Sequence, residues 1–266
     1  MPVATLPLRA RARHSRTHEL TWRLLRDAPR PGASNMAIDH ALAACLRPGE
    51  GVLRLYGWSR PTVSFGKNEP ASRVANEKLG RLQPEPHYVR RPTGGRAVLH
   101  DNEVTYAIVA PLDAFGGLRE AYLAINEALA SALRSLGAEV DVSATTETLG
   151  LDAGPCFQAP AHGEIVSGGR KIVGSAQARL EGALLQHGSI LLGGGQELLG
   201  GEGTDVTMSD LVGAVEPDVV ASAAAAALRR SLGGAWSDGR YDASEMESAE
   251  RLETERYAQD TWTWRR

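Results

Sequence analysis

The chain has 266 residues, of which 42% are hydrophobic and 23% are charged, as in an ordinary globular protein. Its formal net charge of -3 gives no electrostatic case for nucleic-acid binding, and no run of about 18 apolar residues predicts a membrane span. The two cysteines, Cys45 and Cys156, lie far apart and make no disulfide framework, and CxxC and HExxH patterns are absent. We therefore expect a cytoplasmic protein without a metal site.

The first part of the chain predicts a leader, a strand and a helix. Residues 1–18 carry four arginines and no acidic residue, so we expect a disordered leader, whose use as a targeting segment is open. The length allows one large domain or two small ones, and we expect a single domain over residues 19–266. Its first strand is predicted over 19–25. A helix capped by Ser34 is predicted over 35–47, with Cys45 on its apolar face and Asp39 solvated.

A glycine-containing loop lies among the predicted strands and helices of the middle of the chain. Strands are predicted over 52–58, 62–65, 87–91, 97–100 and 103–109, and helices over 71–79, 117–136, 217–232 and 242–259. In the loop over residues 92–96, Gly94 and Gly95 can expose backbone N–H groups as a nest for a partly negative oxygen. Taken alone, this pattern favours a tight hairpin with solvated arginines.

Residues 164–192 predict three consecutive antiparallel strands. Gly168-Gly169 and Glu181-Gly182 are two-residue turns at hairpin spacing. Because side chains alternate along a strand, Lys171 is expected on the same face as Ser175. In the register set by the turns, the facing pairs are Ser175 with Gly188, Gln177 with Gln186, and Ala176 with His187.

Cys156 stands in a kinked loop just before these strands, between Pro155 and Pro160. A thiolate is an effective acyl carrier, and a nearby cation lowers the pKa of a thiol. Lys171, one hairpin away, is a candidate for that cation or for polarising an acyl carbonyl. The residues alone leave open the alternative that Cys156 is a small buried hydrophobe.

Four ordered motifs give the chain a family resemblance. They are NMAID at 35–39, RRPTGGRAVLHD at 90–101, GRKIVGSAQAR at 169–179 and QHGSIL at 186–191. Together they resemble the biotin/lipoate protein ligase superfamily, in particular its lipoate ligase and octanoyltransferase branch. The resemblance implies an α/β (α+β) fold, a single domain with a large mixed β-sheet flanked by helices, related to the catalytic cores of class II synthetases and biotin protein ligases.

The loop sequence PCFQAP, which contains Cys156, points to one part of that branch. ATP-dependent lipoate ligases typically carry an Asn-Asp pair at this place, and often a third glycine in place of Arg96. The chain instead resembles the octanoyltransferases that work through an enzyme thioester. Ala161 departs from the serine expected in this loop.

The resemblance also implies a set of site residues. Cys156 and Lys171 are catalytic, with Lys171 contacting the acyl carbonyl oxygen, and the base is left open among His100, His162 and His187. The expected substrate-binding residues are Arg91, Thr93, Gly94, Gly95, Arg96, Val98, His100, Gly174, Ser175, Ala176, His187 and Gly188. Val89, Val98, Leu99, Val173 and Ile190 are candidates for the wall of an acyl tunnel.

The activity implied by the resemblance is acyl transfer. Octanoyl would move from octanoyl-acyl carrier protein to a lysine of a lipoyl domain, in the glycine-cleavage H protein or a 2-oxoacid dehydrogenase E2 subunit. No cofactor, metal, nucleic acid or membrane partner is expected. Three alternatives are a lipoate-protein ligase that uses ATP and Mg, an octanoyl amidotransferase between lipoyl domains, and a non-catalytic lipoyl-domain-binding module.

Overall fold

A computed structural model describes residues 15–73, 82, 84–145, 162–199 and 205–266. Its strands are β1 (Thr21–Arg26), β2 (Glu50–Tyr56), β3 (Thr62–Phe65), β4 (His87–Arg90), β5 (Val98–His100), β6 (Glu103–Pro111), β7 (Asp141–Val142), β8 (Ile165–Ser167), β9 (Arg170–Leu180), β10 (Ala183–Leu191) and β11 (Ala235–Asp238). Its α-helices are α1 (Gly32–Ala44), α2 (Leu118–Ser135), α3 (Met208–Val212), α4 (Pro217–Leu232), α5 (Ala243–Leu252) and α6 (Asp260–Thr263). None of these described helices is long and apolar enough to cross a membrane.

The described strands form two sheets. Eight strands make a mixed sheet in the order β11-β1-β2-β6-β10-β9-β8-β7, and a three-stranded sheet has the order β4-β3-β5. In the large sheet β1 runs parallel to β11 and β2, whereas the remaining neighbours pair antiparallel. Helices α2 and α4 pack on one face, and α1 and α5 on the other. The large mixed sheet flanked by helices confirms the predicted fold class.

Strand β6 lies in the middle of the large sheet and shows how the sequence builds both layers. Its side chains alternate between two cores, with Tyr106 and Ile108 in the core of α2 and α4, and Ala107 and Val109 in the core of α1. A strand covered on both faces needs apolar residues at successive positions, and the run YAIVA supplies them.

Helices α2 and α4 lie where the sequence predicts them, but α1 is shifted. Helix α1 begins before Ser34, whose hydroxyl donates a hydrogen bond to Glu253 (2.7 Å) instead of capping the helix. Because α1 ends at Ala44, Cys45 is partly exposed just past the helix and is not the core residue that was predicted. Helix α5 covers the first part of the predicted 242–259 helix and continues as a π-helical turn, Glu253–Tyr257.

The predicted leader is ordered at its end. Thr17–Glu19 forms a 3-10 turn, and the indole N–H of Trp22 donates a hydrogen bond to the carbonyl of the buried Thr17 (3.1 Å). The predicted disorder therefore does not extend to residues 15–18. Residues 1–14 lie outside the described residues, as does most of the predicted helix 71–79, of which Ala71–Arg73 forms a 3-10 turn.

Strands β8, β9 and β10 form the predicted meander. The pairing of β9 with β10 places Ser175 opposite Gly188 and Ala176 opposite His187, which confirms the register expected from the two-residue turn. Strand β10 also pairs antiparallel with β6, so β9, β10 and β6 form one continuous antiparallel surface.

A β-bulge between β8 and β9 changes the direction of Lys171. Two residues of β9 lie opposite one residue of β8, because the pairing register shifts within β8. Ile172 and Val173 consequently both enter the core of α2, although strict alternation places them on opposite faces. Lys171 faces away from that core and binds Glu164. The prediction that Lys171 shares a face of the sheet with Ser175 is therefore wrong.

Candidate active site

A pocket lies between the large sheet and the three-stranded sheet. Residues from α1, from both sheets and from the loop after β4 line it. The predicted substrate-binding residues in its lining are Arg91, Gly95, Val98, His100, Gly174, Ser175, Ala176, His187 and Gly188. The lining residues that the sequence did not predict are Met36, Tyr56, Trp58, Ser64, Thr105 and Ser189.

The predicted nest loop, residues 92–96, is fastened by Arg91. The buried guanidinium of Arg91 donates hydrogen bonds to the carbonyl oxygens of Gly94 (2.9 Å), Arg96 (2.7 Å) and Ser64 (2.9 Å). Arg90 and Arg96 are buried as well, so the expectation of solvated arginines is wrong. Gly94 and Arg96 belong to the frame of the loop and not to the lining of the pocket.

Two stretches of backbone meet closely at this loop. Gly95 has φ +87°, and a Cβ on Gly66 would lie 1.9 Å from the Gly95 carbonyl oxygen. Only glycine at position 66 allows this approach. The next residue, Lys67, donates its backbone N–H to the Thr93 carbonyl (2.8 Å), so the turn after β3 supports the loop directly.

A buried row of hydrogen bonds runs from α1 to the loop. The Asp39 carboxylate accepts from His187 Nδ1 (2.9 Å) and from the Tyr56 hydroxyl (2.9 Å), and His187 Nε2 lies 2.7 Å from Thr93 Oγ1. Because a carboxylate only accepts, Nδ1 carries the ring proton and Nε2 accepts from the Thr93 hydroxyl. The row fixes the His187 ring in the pocket wall. Asp39 is fully buried, so the prediction that it is solvated is wrong.

Arg54 on β2 compensates the charge of Asp39. Its buried guanidinium donates hydrogen bonds to Asp39 (2.8 Å), Asp27 (2.8 Å) and the side-chain oxygen of Asn35 (2.7 Å). Burial raises the pKa of Asp39, but the hydrogen bond from His187 and the charge of Arg54 outweigh burial and hold that pKa below its ordinary value of 3.8. Asp39 is therefore ionised at neutral pH.

The neutral state of His187 predicts a pH-dependent stability. Burial lowers the pKa of His187 below 6.5, although the Asp39 carboxylate opposes the shift. Well above pH 6.5 the ring is neutral in both the folded and the unfolded state, and as the pH falls the unfolded chain takes up the proton first, so folding stability decreases. We expect the loss of unfolding free energy between pH 7.5 and pH 5.5 to be smaller in His187→Gln than in wild type.

Urea denaturation at both pH values measures this difference. His40 and His87 also have a pKa lowered by burial, and their contributions are common to both proteins and cancel. His18→Gln, which replaces an exposed histidine, is the matched control. Equal pH dependence in His187→Gln and wild type would contradict the neutral assignment.

A second polar cluster surrounds His100. Its Nε2 lies 2.7 Å from Ser64 Oγ, and its Nδ1 lies 2.8 Å from the buried Glu103 carboxylate. Trp58 stacks on the His100 ring at 3.9 Å and donates its indole N–H to Glu103 (3.0 Å). Both ring nitrogens of His100 are thus engaged, and the ring is held as part of the pocket wall.

Lys171 lies near the start of β9 in a buried ion pair. Its Nζ is 2.6 Å from Glu164 Oε1, and both residues are buried. Ala176, which pairs with His187, lies five residues further along β9, or roughly 16 Å at the rise of a strand. Lys171 and His187 therefore lie at different levels along β9 and β10.

Most of the residues predicted to form the wall of an acyl tunnel do not line the pocket. Val98 lines the pocket. Val173 and Ile190 point to the opposite side of the large sheet, into the core of α2, because side chains alternate on β9 and β10. Val89 packs in the core of α1 and Leu99 in the core of the three-stranded sheet, so these four wall assignments are wrong.

The Cys156 loop lies outside the described residues, as does Ala161. His162, the first residue described after the loop, is exposed. The polypeptide continues from there to Glu164, the partner of Lys171. The placement of Cys156 beside Lys171 stays a prediction.

The chain matches the model of the lipoyl protein ligase A/B catalytic domain over residues 31–230. It belongs to this family. An octanoyltransferase LipM of Kyrpidia tusciae is 37% identical over 92% of this chain and 99% of that protein. LipM of Symbiobacterium thermophilum is 34% identical over 93% of this chain and 100% of that protein, and LipM of Moorella thermoacetica is 45% identical over 65% of each.

Solved structures of lipoate ligases share the fold. A lipoate-protein ligase A bound with ATP superposes with a TM-score of 0.80 at 22% identity, over 92% of this chain and 99% of that one. A bipartite lipoate protein ligase from Thermoplasma acidophilum superposes with a TM-score of 0.73 at 21% identity, over 92% of this chain and 96% of that one. These similarities establish the lipoate ligase fold.

Asp39 is the site residue that sequence reasoning missed most clearly in this family member. Helix α1 is buried over nearly all of its length, on all sides, and Asp39 is the one acidic residue in it. A helix that is apolar all round is enclosed by protein, and a carboxylate inside it must be paired. That pattern was a readable signal for a buried ion pair.

Proposed function

We propose that this chain is an octanoyltransferase of protein lipoylation that carries the acyl group as a thioester on Cys156. The observation that carries the proposal is the 37% identity, over 92% of the chain, with an octanoyltransferase. The pocket supports it, because the RRPTGGRAVLHD, GRKIVGSAQAR and QHGSIL motifs all contribute to its lining. The cysteine in PCFQAP supplies a nucleophile of the right chemistry.

In the first step, the Cys156 thiolate attacks the carbonyl carbon of octanoyl-acyl carrier protein. The bond between that carbon and the carrier sulfur breaks, and the carrier leaves as a thiolate that takes up a proton. In the second step, the amine of a lipoyl-domain lysine attacks the Cys156 thioester. An amide forms, the amine loses a proton, and the Cys156 thiolate is regenerated.

Lys171 is proposed to stabilise the oxyanion that forms on the acyl carbonyl in both steps. Glu164 holds the ammonium at 2.6 Å and keeps it fixed at the start of β9. The bulge in β9 turns this side chain away from the core of α2 and to the side of the sheet where Gly174 and Ala176 lie. A preorganised cation in a buried setting acts more strongly than in water.

The octanoyl chain is proposed to run from Lys171 towards His187. The roughly 16 Å between these levels of β9 accommodates an extended eight-carbon acyl group. The carbonyl lies at the Lys171 end, and the chain passes the small residues Gly174 and Ala176. In this orientation His187 serves as part of the pocket wall beside the end of the acyl chain.

The partners follow from this chemistry. The donor is octanoyl-acyl carrier protein, and the acceptor is the lipoyl domain of the glycine-cleavage H protein or a 2-oxoacid dehydrogenase E2 subunit. Both steps exchange one acyl bond for another, so neither requires ATP, a metal or another cofactor. We place the reaction in the cytoplasm.

Intact-mass spectrometry without ATP tests the proposal. Wild type incubated with octanoyl-acyl carrier protein is expected to gain one octanoyl group, and to pass it on when an unmodified lipoyl domain is added. Cys156→Ala is expected to gain none. Cys45→Ser is the matched control, because burial and the charge of Glu245 raise the pKa of the Cys45 thiol and disfavour its thiolate.

Other outcomes separate the alternatives. Acylation of the lipoyl domain only with ATP and free octanoate, with Cys156→Ala still active, would establish a ligase and refute the thioester route. An octanoyl adduct from an octanoylated lipoyl domain but not from the carrier would establish an amidotransferase. Lipoyl-domain binding with no acyl transfer from any donor would leave only the binding module.

A further inference from the structure

The segment 257–266 folds back onto the turn after β3, which supports the loop over residues 92–96; we call this loop the acyl loop. The indole N–H of Trp262 donates to the Arg90 carbonyl (2.8 Å), and the Arg90 guanidinium donates to the carbonyls of Thr263 (3.0 Å) and Gly66 (2.6 Å). Trp264 packs its ring against Phe65, with centroids 5.4 Å apart. The segment is thus built into the three-stranded sheet.

Four cations gather on the outside of this segment. Lys67, Arg265 and Arg266 are exposed and Arg256 is half-buried. Arg256 and Arg265 lie over the Trp262 ring at 4.9 Å and 4.0 Å. In the part of the chain that the structure describes, none of the four forms a salt bridge. We call Lys67, Arg256, Trp264, Arg265 and Arg266 the basic patch.

Among the described residues, the patch carries positive charge around an apolar centre. Burial lowers the pKa of Arg265, and the neighbouring charges of Arg266 and Arg256 lower it further. An anionic partner would relieve this repulsion between the cations, so the patch favours binding of a negatively charged surface. Trp264 is 43% exposed, which makes it one of the two large hydrophobic side chains exposed on the described surface. A basic surface around an exposed tryptophan is typical of a protein-binding site.

The patch is joined to the acyl loop through Lys67. Arg265 donates a hydrogen bond to the Lys67 carbonyl (2.5 Å), and the Lys67 N–H donates to the Thr93 carbonyl (2.8 Å). Thr93 in turn binds His187 in the pocket wall (2.7 Å). A protein docked on the patch would therefore rest beside the loop over residues 92–96, at the His187 end of the proposed acyl path, and the arm that carries the acyl group would reach from there to the carbonyl at Lys171.

We propose that the basic patch docks the acyl carrier protein of the donor, through an acidic face of that protein. This proposal rests on the proposed function. The donor holds its acyl group on a phosphopantetheine arm, whose phosphodiester adds a negative charge. The acceptor instead presents a lysine, whose ammonium the patch repels. The charge of the patch thus favours the donor over the acceptor.

The test compares a charge reversal on the patch with a matched reversal elsewhere. The test variant is Lys67→Glu with Arg266→Glu, which leaves the backbone hydrogen bonds of both residues in place. The control is Arg119→Glu with Arg230→Glu, two exposed arginines on α2 and α4. For each protein, the dissociation constant for octanoyl-acyl carrier protein is measured by fluorescence anisotropy. The rate of Cys156 acylation is measured with this donor and with octanoyl-pantetheine.

The patch variant is expected to bind the carrier about tenfold or more weakly, and to lose a similar factor in acylation by the carrier. Acylation by octanoyl-pantetheine stays unchanged, since that donor has neither carrier protein nor phosphate. Added salt weakens carrier binding by wild type more than by the variant. The control variant behaves as wild type.

Three results would overturn the proposal. The first is that the patch variant binds the carrier as tightly as wild type does. The second is that its rate of Cys156 acylation falls as much with octanoyl-pantetheine as with the carrier. The third is that the variant binds the lipoyl domain more weakly and the carrier unchanged. Carrier binding by wild type that depends on the patch, without any acylation of Cys156, would refute the proposed function and leave the docking surface standing.

Discussion

Replacing Lys171 by methionine is expected to lower octanoyl transfer about 10²- to 10³-fold, the usual cost of removing one oxyanion contact. The same change leaves the Glu164 carboxylate without the ammonium that binds it at 2.6 Å. Breaking a buried ion pair in this way typically costs about 3–5 kcal/mol of folding stability. The effect of Lys171→Met on the rate of octanoyl transfer therefore has to be measured separately from its effect on folding stability.

The double variant Lys171→Met, Glu164→Gln makes that separation. It removes the buried charge along with its partner, so most of the unfolding free energy in urea is expected to return. Octanoyl transfer, measured under saturating donor, is expected to stay low, because the cation is still absent. Recovery of activity together with stability would show that Lys171 acts only in folding, and would contradict its role at the carbonyl.

Replacing Arg54 by methionine is expected to cost about 3–5 kcal/mol of unfolding free energy. The change removes the guanidinium that Asp39 and Asp27 share, and leaves the buried Asp39 carboxylate without a cationic partner beside that of Asp27. Octanoyl transfer should fall with stability, since Asp39 orients the His187 ring in the pocket wall. Urea denaturation at neutral pH measures the free energy.

Arg134→Met is the control for the loss of an arginine ion pair. Arg134 lies 3.7 Å from Asp141 on the surface, where such pairs contribute at most about 1 kcal/mol. Adding Asp39→Asn to Arg54→Met removes one of the two stranded charges and is expected to restore part of the loss. A cost below about 1 kcal/mol for Arg54→Met would mean that water reaches the pair and that Asp39 is not held as described.

The parts of the fold that the sequence predicts well are those fixed by local chemistry. The two-residue turn Glu181-Gly182 leaves one register for β9 and β10, so the pairing of Ala176 with His187 followed from the turn alone. The apolar periodicity of α2 predicts the ends of that helix to within a residue or two. The proline before α4 and the glycines after it predict the ends of α4 equally well.

The parts that the sequence did not predict depend on contacts made after folding. One extra residue in β9 forms the bulge that redirects Lys171, and nothing in the local sequence marks it. Arg54 and Asp39 lie on different elements and become partners only when β2 packs under α1. The family motifs located most of the pocket, but they gave no account of which face Val173 and Ile190 occupy.

The position of Arg90 has a consequence for the order of synthesis. Its guanidinium is satisfied in part by the carbonyls of Trp262 and Thr263, residues 172 and 173 positions later in the chain. A ribosome releases the acyl loop long before it releases these acceptors, and contacts this distant in sequence form late. The turn after β3, which Arg90 holds through the Gly66 carbonyl, therefore gains its last contacts only after Trp262 and Thr263 have emerged, and a chain cut short before Trp262 would leave a buried guanidinium without those two acceptors.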